Sequence, residues 1–75
     1  MVLADVKTGA SAQIVDITKV SALVRRRLVD LDIMEGTIVR IKKILPFGGP
    51  YTLEAGGQII GIRRNEAKQI KVVCE

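Results

Sequence analysis

The chain is 75 residues long, 48% hydrophobic and 27% charged, with a net charge of +4, no Trp, no His and a single Cys, at position 74. That length holds one domain, residues 1–75, with one shared core and little mass left for a deep pocket. The lone Cys74 excludes an internal disulfide, and the missing His removes the usual base of a hydrolytic triad and a main zinc ligand, so no enzyme is expected.

In chain order, residues 3–9 read as a polar lead-in and turn, ending in Gly9 and feeding a first strand through the alternating residues 12–17. The pattern then changes period. Val20, Leu23, Val24, Leu28 and Leu31 recur at spacings of three and four, which predicts an amphipathic helix capped by Ser21 or Thr18, with an Arg27–Asp30 ion pair on its surface. Its apolar stripe is expected to plug one open end of a small sheet. After a turn at residues 33–36, the β-branched run 37–45 predicts the longest strand. Val39 and Ile41 keep a period of two, but Ile44 falls out of phase, which predicts a bulge or bend near Lys42 and Lys43. Pro46, Phe47, Gly48, Gly49 and Pro50 form a connection to a hairpin of strands 51–55 and 58–63, turned by Gly56 and Gly57. Asn65 is placed to cap a single helical turn through Lys68, and residues 70–73 close the chain as a last strand. Leu28, Leu31, Val39, Ile41, Leu53, Ile60 and Ile62 are the expected core. Five short strands and one helix predict a mainly β fold, an SH3-like, partly open five-stranded barrel with the helix inserted between strands 1 and 2.

Three segments carry a resemblance that spans about residues 3–73. Arg26 to Gly36 is similar to the helix end and "LGLxPG" turn of the ferrous iron transport protein A family, the FeoA domains. Pro46 to Pro50 resembles the family's "PxGxP" hairpin, and Gly57 to Ile70 its "GxxLALRxxEAxxI" ending. There are two departures. Asp32 stands where the family usually has Gly, at a position expected to leave the helix in a left-handed conformation, and Glu35 replaces the Pro before Gly36. The resemblance implies a cytosolic accessory protein of bacterial ferrous iron uptake, partner to the FeoB-type permease with its GTP-binding domain. It also implies a barrel akin to the C-terminal domain of iron-dependent repressors of the diphtheria toxin repressor type.

Candidate partner-binding residues are Arg25, Arg26, Arg63 and Arg64, whose guanidinium groups suit an acidic surface, together with Phe47 and Tyr51. Each has a plainer alternative. The arginines could be solvated charge, Arg63 could reach back to Glu66, and Phe47 could fold over the barrel mouth instead of projecting. The charge also admits a small barrel that binds nucleic acid through Arg40, Lys42, Lys43 and Arg63, with Tyr51 or Phe47 for stacking; too few aromatics and the nearby Glu54 and Glu66 argue against it. A free-standing regulator related to the repressor domain is a third reading. No cofactor and no dedicated metal site are expected, because the carboxylates are scattered without ligand spacing. Free strand edges could support a homo-oligomer. The longest apolar run, Met1 to Ala4, is far short of the roughly 18 residues of a spanning helix, and no signal peptide is recognisable, so a cytoplasmic location is expected.

Overall fold

Five strands form one antiparallel sheet in the computed structural model, which describes residues 1–75. They are β1 (Ser11–Asp16), β2 (Ile38–Ile44), β3 (Tyr51–Ala55), β4 (Gln58–Ile62) and β5 (Lys71–Cys74), in the order β4-β3-β2-β1-β5. Helix α1 (Ala22–Asp30) lies between β1 and β2, and the single turn α2 (Arg64–Ala67) between β4 and β5. Two bulges bend the sheet. The β2–β3 register passes from Ile41↔Leu53 to Lys43↔Thr52, leaving Lys42 as the extra residue where the sequence loses its phase. Between β1 and β5 the register passes from Ile14↔Val72 to Asp16↔Lys71, so Val15 is the second extra residue. The inner face closes over 18 buried residues, all apolar apart from the tip of Tyr51. Of the expected core, Leu31 alone is only half-buried.

The helix is shorter than its periodicity suggests and buries less. Ser21 caps it, its Oγ accepting from the Val24 N–H at 3.3 Å, so the helix begins at Ala22. Leu28 faces the core, flanked by half-buried Val24 and Leu31 at the i−4 and i+3 positions. Leu23, five residues before Leu28 and thus about 140° round the helix, is 82% exposed. The exit is a Schellman motif. The Ile33 N–H donates to the Leu28 carbonyl at 2.8 Å and the Asp32 N–H to Val29 at 2.9 Å, while Leu28 and Ile33 pack in the core. Asp32 supplies the left-handed residue, at φ 62°. Glu35 has a use of its own: its carboxylate accepts from the Ile17 N–H at 3.3 Å, holding the turn against the end of β1.

Three local expectations are corrected. Arg27 does not pair with Asp30; its Nη2 reaches Glu66 Oε1 at 2.9 Å, joining α1 to α2 in the only ion pair. Glu66 is available because it already accepts from the Arg63 N–H at 3.0 Å, and that same bond makes Arg63 the cap of α2, two residues before the cap expected at Asn65. Residues 3–5, read as part of a polar lead-in, form a 3-10 turn with Leu3 fully buried. The spacing of Leu3 and Val6, both buried, is the signal for that turn.

Candidate functional site

The connection between β2 and β3 sets the most exposed of the large apolar side chains. Gly49 donates to the Pro46 carbonyl at 3.1 Å, closing a turn whose central residues, Phe47 and Gly48, have φ of 60° and 74°. Positive φ at both central positions is the signature of a type I′ turn, for which Asn-Gly is the usual choice. Leu45 donates to Pro50 at 3.1 Å behind it. A Cβ on Gly49 would stand 2.9 Å from the Leu45 Cβ, so the two chains approach too closely for any other residue. Held this way, Phe47 projects fully into solvent, at 104% relative exposure. It does not fold over the barrel mouth.

Behind the tip lies Arg64. A Cβ on Gly48 would be 4.0 Å from its Nε, and its guanidinium carbon sits 5.2 Å from the centroid of the Tyr51 ring. Nη1 donates to the Tyr51 hydroxyl at 3.4 Å, and that hydroxyl donates to the Ala4 carbonyl at 3.1 Å, whereas the buried Nε has no partner. Tyr51 is therefore a core residue, 2% exposed, and its ring is not available to a partner or a base. Alternation with Leu53 and Ala55 already put it on the inner face.

The structure thus joins Tyr51 and Arg64 behind the Phe47 turn, and sets the other candidates apart. The Arg63 side chain is exposed, its backbone tied to Glu66. On α1, Arg25 is half-buried and Arg26 exposed, and neither makes a side-chain hydrogen bond or ion pair. The true partner of Arg27 was missed, since Glu66 lies 39 residues away. On the outer sheet face Arg40 stands opposite Glu54, which interrupts the row of cations that a nucleic-acid surface would need. Ile38 and Val73 flank Gln13 on that face and are exposed. At the end of β1 the Asp16 carboxylate accepts from both the hydroxyl and the N–H of Thr18 at 2.7 Å, and these bonds, with Lys71 and Lys19 nearby, hold its pKa below the usual carboxylate range. Asp, Glu and Cys side chains form no cluster of three or more that would suit a metal ion. The Cys74 thiol lies 3.3 Å from the Met1 sulfur. No helix is long and apolar enough to cross a membrane.

A family model, the FeoA domain, matches residues 1–74. The FeoA protein from Chlorobium tepidum is 32% identical over 99% of this chain and 70% of its own, with a TM-score of 0.93. The zinc complex of FeoA from Stenotrophomonas maltophilia, described as a prokaryotic SH3 domain protein, is 28% identical over 96% of this chain and 88% of its own, with a TM-score of 0.81. A manganese-dependent transcriptional repressor shares the fold over 100% of this chain and 41% of its own, at 16% identity and a TM-score of 0.88. No curated protein matches. The partly open five-stranded barrel is SH3-like, and its sequence agrees with one family from end to end. The chain belongs to the FeoA domain family, which is linked to ferrous iron transport.

Proposed function

We propose that the protein is a non-catalytic cytosolic accessory of bacterial ferrous iron uptake, docking onto the cytosolic part of a FeoB-type permease and modulating its GTPase or its assembly. The observation that carries the docking surface is Phe47, an aromatic fully exposed at a turn that suits a different residue. A left-handed L-residue costs about 1–2 kcal/mol, and Phe47 recovers none of it by burial within its own chain. A pocket on a partner would recover it, because burying a Phe side chain contributes about 1.5–3 kcal/mol. Arg64, held on Tyr51 behind the tip, adds a positive charge beside that anchor. If a guanidinium acts on the transferring phosphoryl group, Arg63 is the one free to reach, since Arg64 is stacked and bonded.

The test is an NMR titration of the labelled protein with the soluble GTP-binding domain of the cognate permease, without nucleotide and with a GTP analogue. Shifts at Phe47, Gly48, Gly49 and Arg64 are expected, and their dependence on nucleotide distinguishes regulation from simple tethering. Unchanged spectra from two folded proteins sink the docking model. The nucleic-acid alternative loses support from the burial of Tyr51 and the Arg40–Glu54 pairing.

A further inference from the structure

The two edges of the sheet are treated differently. At β5 the edge is covered: Val2 bridges to Lys71, Leu3 donates to Ile70 at 2.8 Å and Val72 donates to Met1 at 3.0 Å. At β4 nothing covers it. This strand, Gln58–Ile62, pairs with β3 alone, and it carries no charge, no proline and no bulge, the devices that usually blunt an edge.

The hydrogen-bond phase says which groups are free. The β3–β4 turn is the two-residue loop Gly56–Gly57, closed by the pair Ala55↔Gln58, so Gln58, Ile60 and Ile62 direct their N–H and C=O groups at β3. Ile59 and Gly61 direct theirs outward. Neither takes part in any of the 21 backbone bonds made outside the helices and strands. Their outer-face positions are complementary in shape as well. Ile59 is 60% exposed, and a Cβ on Gly61 would meet nothing within 4 Å.

We propose that β4 pairs edge to edge with β4 of a second copy of this chain, antiparallel about a two-fold axis through Ile60. In that register Ile59 faces Gly61 of the second copy, both residues being those with outward backbone groups, and they exchange both N–H···O bonds; symmetry repeats the exchange. Each Ile59 side chain then covers the bare glycine opposite. A second copy is the occupant because one strand holds both the projecting residue and the gap, two positions apart, and only the two-fold operation brings each onto the other. No like charges meet: Arg63 falls opposite Gly57, and every other residue facing across the axis is uncharged. The strand is short, five residues, so the interface is smaller than those of permanent dimers and the pair dissociates on dilution. The β4 edge shares no residue with the Phe47 turn or with Arg64.

The experiment is amide hydrogen exchange, read by NMR on the intact protein at high and low concentration, with sedimentation velocity alongside. Expected is a rise of about tenfold or more in the protection of the Ile59 and Gly61 amides in the concentrated sample, with the Ile60 and Ile62 amides changing less because β3 already holds them. The surface variant Ile59→Lys should sediment as a monomer throughout and keep the parent circular dichroism spectrum. Protection at Ile59 and Gly61 that ignores concentration overturns the proposal. So does a dimer that survives Ile59→Lys, or one whose changes map to Phe47. A chain that is monomeric at every concentration, with its β4 edge taken by a strand of another protein, also overturns it.

Discussion

Replacing Phe47 by Asn separates the stability of the fold from its use. The side chain is 104% exposed, so removing it forfeits no burial, and the backbone at φ 60° is one that Asn tolerates and Phe does not. The strain of about 1–2 kcal/mol is partly relieved. We expect Phe47→Asn to raise stability by about 0.5–1 kcal/mol, and Phe47→Gly by about 0–1 kcal/mol, since glycine's freedom in the unfolded chain offsets its gain. For a domain of this size about 1 kcal/mol moves Tm by about 4–8 °C, which circular dichroism resolves, and urea titration gives the free energy directly. The same variants should bind the permease domain about 10- to 150-fold more weakly, the loss of about 1.5–3 kcal/mol of aromatic burial. Destabilisation by Asn would mean that Phe47 packs on its own protein. Stabilisation with unchanged binding would leave the strained aromatic without a use and refute the anchor.

Three further outcomes follow from the same geometry. Asp32→Gly should stabilise by about 0.5–1 kcal/mol in urea unfolding, because Asp32 holds the left-handed position of the α1 exit, at φ 62°, where glycine carries no steric penalty. Glu66→Ala should cost about 1–2 kcal/mol, since it removes both the acceptor for the Arg63 N–H and the partner of Arg27. Glu66→Gln should cost less, and a double-mutant cycle with Arg27→Ala should assign under about 1 kcal/mol to the half-exposed ion pair; a larger coupling would contradict its exposure. Asp16 gives stability a pH dependence of known sign. Its folded pKa is lowered, chiefly by the Thr18 hydroxyl, so its contribution is present above the unfolded pKa and disappears as the pH falls through the folded one. Thr18→Val should lower stability at neutral pH and converge with the parent in acid, where Asp16 is protonated in both, so that the acid limb of the stability–pH curve flattens; an unaltered limb would rule out this source.

The strands were legible where chemistry was local. Gly56 and Gly57 take positive φ as a tight hairpin requires, so the flanking strands could be bounded from sequence, and the lost phase at Ile44 located the bulge at Lys42. Asp32 was legible for the same reason, because a helix exit has few conformations open to it. Long-range choices were not legible. Arg27 has Asp30 three residues away and pairs instead with Glu66, whose position depends on α2 having formed. The Phe47 turn defeats propensity outright, since an aromatic in a type I′ turn runs against local preference, and only the backbone shows that the side chain leaves the surface. Tyr51 was misjudged although the signal was present: its alternation with Leu53 made it a core residue before it could be a docking residue.

The pairing of β1 with both β2 and β5, and of Met1 to Leu3 with Ile70 to Val72, has a kinetic consequence. The first strand acquires its second neighbour only from the last, so loop closure across nearly the whole chain precedes the final sheet contacts. During synthesis β2, β3 and β4 can assemble as a meander, but the inner face stays open until Val72 clears the ribosome. Completion of the fold therefore waits on β5, and removal of residues 71–74 should leave the outer edge of β1 and the amino-terminal turn unpaired together, as one cooperative loss.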